Sequence, residues 1–364
     1  MPIQSSFMSK TSRIYVAGHR GLVGSALVRC LISKGYENIL THTHEELDLT
    51  NQQAVKEFFE KEKPEYVFLA AAKVGGILAN NTYPAEFIYQ NLAIQNNVIH
   101  YSWKSGVRRL LFLGSSCIYP RECPQPIKEK YLLTGPLEPT NRPYAIAKIA
   151  GIEICWSYNR QYNTQYLSAM PTNLYGPGDN YDLQNSHVLP AIIRKIHLAK
   201  LAQNGDLRGI QKDENKMGPI PPDIKKALGL ISNPKGLDAT ISPQPVFWGA
   251  GSIRREFLYS DDMADACVYL MSLPETKFSS CLPINSPPIV NIGCGADLTI
   301  RECVGVIKEI VGYNGDVQWD LDKPEGTPQK LLDTKLLTSL GWDYKIDLPE
   351  GLKRCYADYL LSTQ

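Results

Sequence analysis

The strongest constraint on the fold is a regular alternation of strand-like and helix-like segments in the first third of the chain. Short β-prone runs begin at Arg13, Asn38, Glu65 and Arg109, and helical patterns separate them. Strands that alternate with helices form parallel βαβ units, which place helices on both faces of one sheet. Because such crossovers are right-handed, this order of segments predicts an α/β fold with a doubly wound parallel sheet.

The alternation weakens in the second half of the chain, where Pro, Gly and Asn become frequent between residues 176 and 256. We expect a smaller, loop-rich C-terminal lobe over the carboxyl ends of the strands, where open α/β sheets bind ligands. Within it, Thr299 and Glu302 fit a capping box at the start of a helix. The predicted domains are a first one at 12–175 with a return at about 246–270, and a lobe at 176–364 that mainly binds substrate.

Composition is that of an ordinary globular protein, with 43% hydrophobic and 21% charged residues. The 38 basic residues balance 37 acidic ones, so the chain offers no attraction for nucleic acid or an anionic membrane surface. No run reaches the roughly 18 apolar residues that span a bilayer, and the opening MPIQSSFMSKTS lacks the features of a signal peptide. The nine cysteines are scattered without a CxxC pair. This pattern predicts reduced thiols in a cytoplasmic protein, without a disulfide framework or a zinc site.

Three glycines follow the first predicted strand and open the first helix. Glycines in this place let the backbone turn sharply and approach a pyrophosphate at the helix N-terminus. The segment therefore predicts a Rossmann-like dinucleotide site, and its GxxGxxG spacing resembles that of the short-chain dehydrogenase/reductase superfamily. The predicted cofactor contacts in this turn are Gly18, His19, Arg20, Gly21, Leu22, Val23 and Gly24.

The choice between NAD and NADP depends on the end of the second strand, where NAD binders usually offer an acidic residue to the ribose 2′-hydroxyl. Here LTHTHEELDL places His42 and His44 before any carboxylate, and Arg20 lies in the glycine turn. A neutral or cationic pocket suits a 2′-phosphate. The sequence thus favours NADPH, with His44, Asp48 and Leu49 as further contacts. Histidine is a weaker phosphate ligand than arginine, and both histidines are equally compatible with a surface position.

Tyr144 and Lys148 lie four residues apart in PYAIAKIAG, so a helix would present them on one face. The spacing alone also fits a packed tyrosine and a lysine that extends to solvent. Ser115, in GSSCIYP after the fourth strand, completes a resemblance to the catalytic serine, tyrosine and lysine of the superfamily. A phenol of pKa about 10 is a poor acid–base group at neutral pH unless a cation stabilises its phenolate. The resemblance implies that Lys148 does so and also binds the nicotinamide ribose, while Ser115 holds the substrate carbonyl.

Longer segments are more specific: AAAKVGGILANNTYPAEFIYQN, LEPTNRPYAIAKIAG, MPTNLYGPGDN, NSHVLPA and REFLYSDDMADA. Together they resemble the GDP-L-fucose synthase family, from about residue 12 to the end. The resemblance implies NADPH-dependent 3,5-epimerisation and 4-reduction of GDP-4-keto-6-deoxy-D-mannose to GDP-L-fucose. It also gives acid–base roles to Cys117 and His187, whose ordinary pKa values near 8.5 and 6.5 suit proton transfer at neutral pH. Outside this context a cysteine after a strand, or a lone histidine, is usually structural.

The resemblance implies binding residues beyond the glycine turn, and it implies no metal. On the cofactor side they are Lys148, Pro171, Thr172, Asn173, Leu174 and His187; on the GDP side they are Lys195, Trp248, Arg255 and Glu325. The relatives usually carry aspartate in place of Glu325. Superfamily members often pair through two long helices, one of which contains the tyrosine and lysine, so we expect a homodimer.

Residues 200–245 form a polar insertion, about 30 residues longer than the family's usual link, with a possible short helix at PPDIKKALG. A loop this long is normally functional or disordered, so we expect either a lid that alters sugar selection or solvated decoration. The insertion leaves a second function open, C4 reduction of another GDP-4-keto-6-deoxy sugar such as a heptose, with or without epimerase activity. A binding protein without catalysis is a third hypothesis, and the intact Ser115, Tyr144 and Lys148 argue against it.

Overall fold

The computed structural model describes residues 8–232, 235–237, 242–323 and 326–363. They divide into two compact units. The first takes the described chain up to Leu174 together with Glu256–Ala296 and Leu331–Lys345; the second takes Tyr175–Arg255, Asp297–Lys330 and the chain from Ile346. The return to the first unit starts at Glu256 instead of the predicted 246, because Val246–Trp248 pairs with a strand of the second unit.

Strands and helices alternate through the first part of the chain. In chain order they are β1 (Arg13–Ala17), α1 (Leu22–Ser33), β2 (Asn38–Leu40), α2 (Gln52–Glu62), β3 (Tyr66–Leu69), α3 (Ile77–Thr82), α4 (Pro84–Lys104), β4 (Arg109–Leu113), α5 (Arg142–Tyr162) and β5 (Gln165–Pro171). Single-turn 3₁₀ helices lie between β4 and α5, at η1 (Ser116–Ile118), η2 (Glu129–Tyr131) and η3 (Pro139–Asn141).

The remaining elements are shorter on average and more irregularly spaced. They are β6 (Asn173–Tyr175), α6 (Val188–Gln203), α7 (Leu207–Met217), α8 (Pro222–Ala227), β7 (Leu230–Ser232), β8 (Lys235–Leu237), β9 (Val246–Trp248), β10 (Arg254–Tyr259), α9 (Ser260–Met271), α10 (Glu275–Ser280) and β11 (Ile289–Ile292). The chain ends with β12 (Asp297–Thr299), α11 (Ile300–Val311), β13 (Gln318–Asp320), β14 (Gln329–Lys330), α12 (Lys335–Leu340) and α13 (Leu348–Thr363).

The sheet of the first unit is parallel throughout, with the strand order β2-β1-β3-β4-β5-β11. On one face α1 and α9 pack through Leu27 and Met263, and on the other α2 and α5 pack through Phe59 and Ile152. Apolar residues fill the strands because helices cover both faces. The predicted doubly wound, Rossmann-like sheet is therefore confirmed. Its strand order reverses between β1 and β3, which is where open α/β sheets bind ligands.

The second unit contains small sheets and a group of helices. Its strands form a sheet ordered β12-β10-β14, a parallel pair β9 and β13, and an antiparallel hairpin β7 and β8. The predicted capping box at α11 is confirmed. The Thr299 hydroxyl oxygen accepts from the Glu302 backbone N–H at 3.1 Å, and a Glu302 carboxylate oxygen accepts from the Thr299 N–H at 2.7 Å.

The insertion at 200–245 was expected to be a long loop, but α7, α8 and the β7–β8 hairpin lie within it. The short helix predicted at PPDIKKALG is α8. α7 contains few apolar residues, and Asp213 lies with Ile210 on its buried face. Asp213 Oδ1 accepts from Arg194 Nε at 2.8 Å, and Oδ2 accepts from the Tyr359 hydroxyl. This buried network fastens α7 to α6 and α13. α7 is therefore fixed to its own unit, and the expectations of a lid or of solvated decoration stay predictions for the insertion as a whole.

None of the helices in the described ranges combines the length and apolar character needed to cross a membrane. The described His, Cys, Asp and Glu side chains form no cluster that could hold a metal ion. All nine cysteines fall within the described residues and are free thiols.

Candidate active site

The glycine turn between β1 and α1 is closely packed. Gly18 has a φ of +83°, and its carbonyl accepts from the Gly21 N–H at 3.1 Å. A Cβ at Gly24 would lie 2.0 Å from Gly18 O, and a Cβ at Gly18 would lie 2.7 Å from the backbone of Ala71, in the loop after β3. Gly21 begins α1 without a side-chain cap, and the first helical turn has no acidic residue. The turn thus leaves backbone N–H groups and the positive end of a helix for phosphate groups.

The other residues of the turn are less buried. His19, Leu22 and Val23 are half-buried. Val23, in the first turn of α1, packs against the hydrophobic core. Arg20 is exposed, and its Nη1 lies 3.9 Å from a carboxylate oxygen of Glu45. An arginine at this position can still reach a 2′-phosphate because a loosely held, exposed ion pair is weak.

The loop after β2 carries the remaining residues predicted near the ribose. β2 ends at Leu40, and no acidic residue occurs before Glu45. His44 is exposed and lies 3.8 Å from Asp48, whose carboxylate accepts from the Thr50 N–H and hydroxyl. Leu49 is buried. The strand end therefore lacks the carboxylate that NAD binders offer to the 2′-hydroxyl.

Ser115, Tyr144 and Lys148 come together at the carboxyl end of β4. Ser115 Oγ accepts from the Cys117 N–H at 3.2 Å and so begins η1. Its side chain is close enough to Tyr144, in the first turn of α5, to act on the pKa of the phenol. Lys148 is buried, and its Nζ donates to the Leu113 carbonyl at 2.7 Å. These contacts place all three side chains at the edge of the sheet that carries the glycine turn.

The electrostatics of this group differ from the expectation. Lys148 was expected to lower the pKa of Tyr144, but burial raises that pKa, and the nearby Cys117 thiol adds to the rise. Burial also lowers the pKa of Lys148 itself to about 7. The lysine therefore carries only part of a charge at neutral pH, and its Nζ lies 5.8 Å from the centre of the Tyr144 ring. Tyr144 is a neutral phenol that can donate a proton.

Cys117 lies in η1, two residues after Ser115, and is half-buried. Its thiol is near enough to Tyr144 to act electrostatically on the phenol. The structure thus brings four of the five predicted catalytic side chains together in the first unit.

The segment after β5 was predicted to line the nicotinamide. Pro171 ends β5, opposite Ile292 of β11. The Thr172 hydroxyl and the Asn173 amide both donate to the Glu256 carbonyl, at 3.1 and 2.9 Å, and Leu174 packs on the core. The segment is consequently held by its own unit at the carboxyl edge of the sheet.

The second unit holds the other predicted residues. His187 precedes the first turn of α6 and is exposed. Lys195, also on α6, donates from Nζ to the Val246 carbonyl at 2.9 Å, and burial lowers its pKa to about 8. Trp248, at the end of the same strand as Val246, is 53% exposed. Lys195 thus contacts β9, and Trp248 is the last residue of that strand.

Arg255 and Glu325 are the other two residues predicted on the GDP side. Arg255 lies in β10 opposite Lys330, and its Nη1 donates to the Arg254 carbonyl at 2.8 Å. Glu325 lies outside the described residues.

The sequence-based prediction missed Asn91, which fixes the loop after β3. Its Oδ1 accepts from the Lys73 N–H, and its Nδ2 donates to the Lys73 carbonyl, both at 3.0 Å. Asn91 lies one turn after Phe87 on the buried face of α4, and the edge of the Phe87 ring faces Tyr144 with the ring centres 6.5 Å apart. A polar residue at a buried helical position was the signal for this contact.

Comparisons with known proteins agree with this geometry. The NAD dependent epimerase/dehydratase family model matches residues 14–212 and 221–293. A putative GDP-L-fucose synthase 2 of Arabidopsis thaliana is 50% identical over 98% of this chain and 94% of its own length. The GDP-L-fucose synthase of Escherichia coli K12 is 48% identical over 97% of this chain and 98% of its own length.

Among solved structures, a GDP-mannoheptose C4 reductase from Campylobacter jejuni with NADP bound is 40% identical and has a TM-score of 0.81. The match covers 97% of this chain and 99% of that one. On the family match and on the identities over nearly the whole chain, this protein belongs to the NAD dependent epimerase/dehydratase family, where it groups with the GDP-L-fucose synthases.

Proposed function

We propose that this protein converts GDP-4-keto-6-deoxy-D-mannose to GDP-L-fucose, by epimerisation at C3 and C5 and NADPH-dependent reduction at C4. The observation that carries the proposal is that the Ser115 and Cys117 side chains both lie close enough to Tyr144 to act on the pKa of its phenol. Relatives with that name are 47–50% identical to this chain. A reductase alone needs the serine and the tyrosine, whereas the nearby thiol suits proton transfer at carbon.

In the proposed reaction Tyr144 first polarises the 4-keto oxygen. Its raised pKa keeps the phenol protonated, and the Ser115 hydroxyl orients the same oxygen. The ketone acidifies the hydrogens on C3 and C5, so a base removes a proton from one face and an acid returns one to the other. We assign these two roles to Cys117 and His187. Tyr144 then protonates O4 during the reduction.

NADP(H) is the cofactor we propose. The tight turn at Gly18, Gly21 and Gly24 fits a pyrophosphate, and the absence of an acidic residue at the end of β2 among the described residues fits a 2′-phosphate. Lys148 would hold the nicotinamide ribose. When bound, NADPH supplies the hydride that reduces C4.

For the GDP moiety we propose the second unit, with Lys195 and Arg255 for the diphosphate and Trp248 for an apolar face. The first unit then binds NADP, and the second mainly binds substrate. Glu325 stays a prediction from the resemblance.

The test supplies GDP-4-keto-6-deoxy-D-mannose and NADPH to the purified protein in deuterated water. We expect one NADPH oxidised per sugar, GDP-L-fucose as the product, and deuterium at both C3 and C5. The matched control is Tyr144→Phe, which removes one oxygen and should stop NADPH oxidation while leaving NADPH binding intact. Absence of sugar-dependent NADPH oxidation by the unaltered protein would contradict the proposal.

A second candidate is C4 reduction of another GDP-4-keto-6-deoxy sugar, such as a heptose. It is favoured by the 40% identity to the C. jejuni C4 reductase over nearly the whole chain. The labelling experiment separates the two functions, because a reductase without epimerase activity leaves C3 and C5 without deuterium. Turnover of a GDP-4-keto-heptose without turnover of the mannose derivative would favour the second candidate.

We also propose a cytoplasmic homodimer that binds neither nucleic acid nor membranes. The nine free thiols suit a reducing compartment. The long helices α4 and α5 expose Tyr89, Ile146 and Tyr162, by 70%, 38% and 39%, and we place the dimer contact on these two helices. Light scattering should give twice the chain mass of 40.7 kDa.

A further inference from the structure

Asn80 on α3 holds a buried acceptor that lacks a hydrogen bond within the part of the chain that the structure describes. The side chain is 6% exposed, and its Oδ1 has no partner there. The Nδ2 donates to the carbonyls of Gly75 and Gly76, at 2.8 and 3.0 Å. Because both carbonyls can only accept, the orientation of the amide is fixed. Oδ1 therefore points away from this loop and toward whatever donor the site supplies.

A second acceptor of the same kind lies on the neighbouring element. Asn141 ends η3, and its Oδ1 is also buried without a hydrogen-bond partner among the described residues. α3 packs against η3, and α5 follows η3 directly with Tyr144 in its first turn. Native proteins pair most buried polar groups. It is therefore unusual that two elements in contact each carry a buried amide oxygen without a hydrogen-bond partner among the described residues.

Both acceptors lie beside the candidate catalytic group. The loop that holds Asn80 contacts Phe87, since a Cβ on Gly75 would lie 3.2 Å from that ring. The edge of the Phe87 ring in turn faces Tyr144. The same loop begins at Ala71, which abuts the glycine turn. The loop that Asn80 holds therefore links the glycine turn to the ring that packs against Tyr144.

An amide oxygen carries no net charge and accepts hydrogen bonds through two lone pairs, so hydroxyl groups can donate to it. The hexose of a nucleotide sugar carries hydroxyl groups next to its reacting carbonyl. We propose that Asn80 and Asn141 accept hydrogen bonds from hydroxyl groups of the substrate's sugar ring and orient that ring toward Tyr144. This inference rests on the proposed function, and it names residues that select the sugar by its hydroxyl pattern.

The main test compares Asn141→Leu with Asn141→Asp. The leucine variant loses the acceptor at similar volume, whereas the aspartate variant keeps an oxygen in the same place. We expect kcat/KM for the GDP-4-keto sugar to fall at least about tenfold in Asn141→Leu, mostly through KM, and to recover to within about threefold in Asn141→Asp. The Kd for NADPH should stay unchanged in both variants.

Asn80→Leu should likewise raise KM for the GDP-4-keto sugar and leave the Kd for NADPH unchanged. This comparison requires that its urea unfolding transition matches that of the unaltered protein. The matched control is Asn81→Ala, since Asn81 is the exposed neighbour of Asn80 and should leave both quantities unchanged. If Asn80→Leu instead raises the Kd for NADPH in parallel with KM, the cofactor's amide supplies the donor. That result would overturn the assignment to the sugar.

Unchanged kcat/KM in Asn141→Leu would show that a buried water satisfies the acceptor, and would also overturn the proposal. The unaltered protein is assayed first, and its failure to reduce any GDP-4-keto sugar would contradict the proposed function instead. Normal turnover by the unaltered protein with normal turnover by both leucine variants contradicts only the inference made here.

Discussion

Replacement of Gly24 by alanine tests the close packing between the glycine turn and α1. A Cβ at this position would lie 2.0 Å from the carbonyl oxygen of Gly18 and 2.6 Å from its carbonyl carbon. Both are backbone atoms, so no rotamer change relieves the overlap. Because non-bonded heavy atoms prefer separations of about 3.5–4.0 Å, the turn must move away from α1 by at least about 1 Å.

The size of the effect follows from two opposing terms. Overpacking of this kind costs about 1–3 kcal/mol, and alanine recovers up to about 1 kcal/mol through its higher helix propensity. We expect the free energy of unfolding of Gly24→Ala to fall by about 1–2 kcal/mol. The displaced turn also misplaces the N–H groups at the start of α1, so the Kd for NADPH should rise at least tenfold, which corresponds to about 1.4 kcal/mol.

Urea unfolding followed by circular dichroism measures the first quantity, and fluorescence titration with NADPH measures the second. The matched control is Gly21→Ala, where the φ is −77° and a Cβ would lie 3.5 Å from Gly18 O. That variant should unfold within about 1 kcal/mol of the unaltered protein but bind NADPH more weakly, because the new methyl group lies where a pyrophosphate approaches. If Gly24→Ala kept both the stability and the Kd of the unaltered protein, the reasoning from the packed turn would be wrong.

Three further predictions concern buried polar groups. Tyr144→Phe should lower kcat about 10²- to 10⁴-fold, measured as NADPH oxidation, because the proton donor is lost; unchanged kcat would exclude that role. Burial lowers the pKa of Lys148 to about 7, so between pH 7.5 and 9.5 the unfolded chain binds one proton more than the folded protein, and stability due to this group rises with pH. The unfolding free energy of the unaltered protein should therefore gain about 1.4 kcal/mol per pH unit relative to Lys148→Met, and parallel pH curves would contradict the shift. Arg194→Met should destabilise the protein by about 3–5 kcal/mol in urea unfolding, because Asp213 then stays buried without its cation; the double variant with Asp213→Leu should recover much of the loss.

The parts of the fold that the sequence predicted are those set by local patterns. The alternation of strands and helices fixed the class of sheet, and the glycines between β1 and α1 form the tight turn that their spacing indicates. Tyr144 and Lys148 share a helix because i and i+4 positions lie on one face. Each of these patterns can be recognised from a few residues that are close together in the sequence.

The parts that could not be predicted depend on contacts between distant segments. Lys148 is buried and donates to the carbonyl of Leu113. Burial lowers its pKa, and the spacing of residues in the sequence does not show that burial. α7 has few apolar residues, and one of its two buried positions is Asp213, whose partner Tyr359 lies far along the chain. Asn80 reads as one polar residue among several in ILANNT, and only the packing of α3 shows that its amide oxygen is enclosed.

The guanidinium of Arg194 has a consequence for protein engineering. Its N–H groups donate to Asp213 and to the carbonyls of Tyr181, Met217 and Gly218, so most of its partners reside in the extra segment or border it. Removing residues 207–228 to obtain a more compact enzyme would leave the guanidinium of Arg194 buried without the carboxylate of Asp213. A shortened version must therefore replace Arg194 by an apolar residue in the same step.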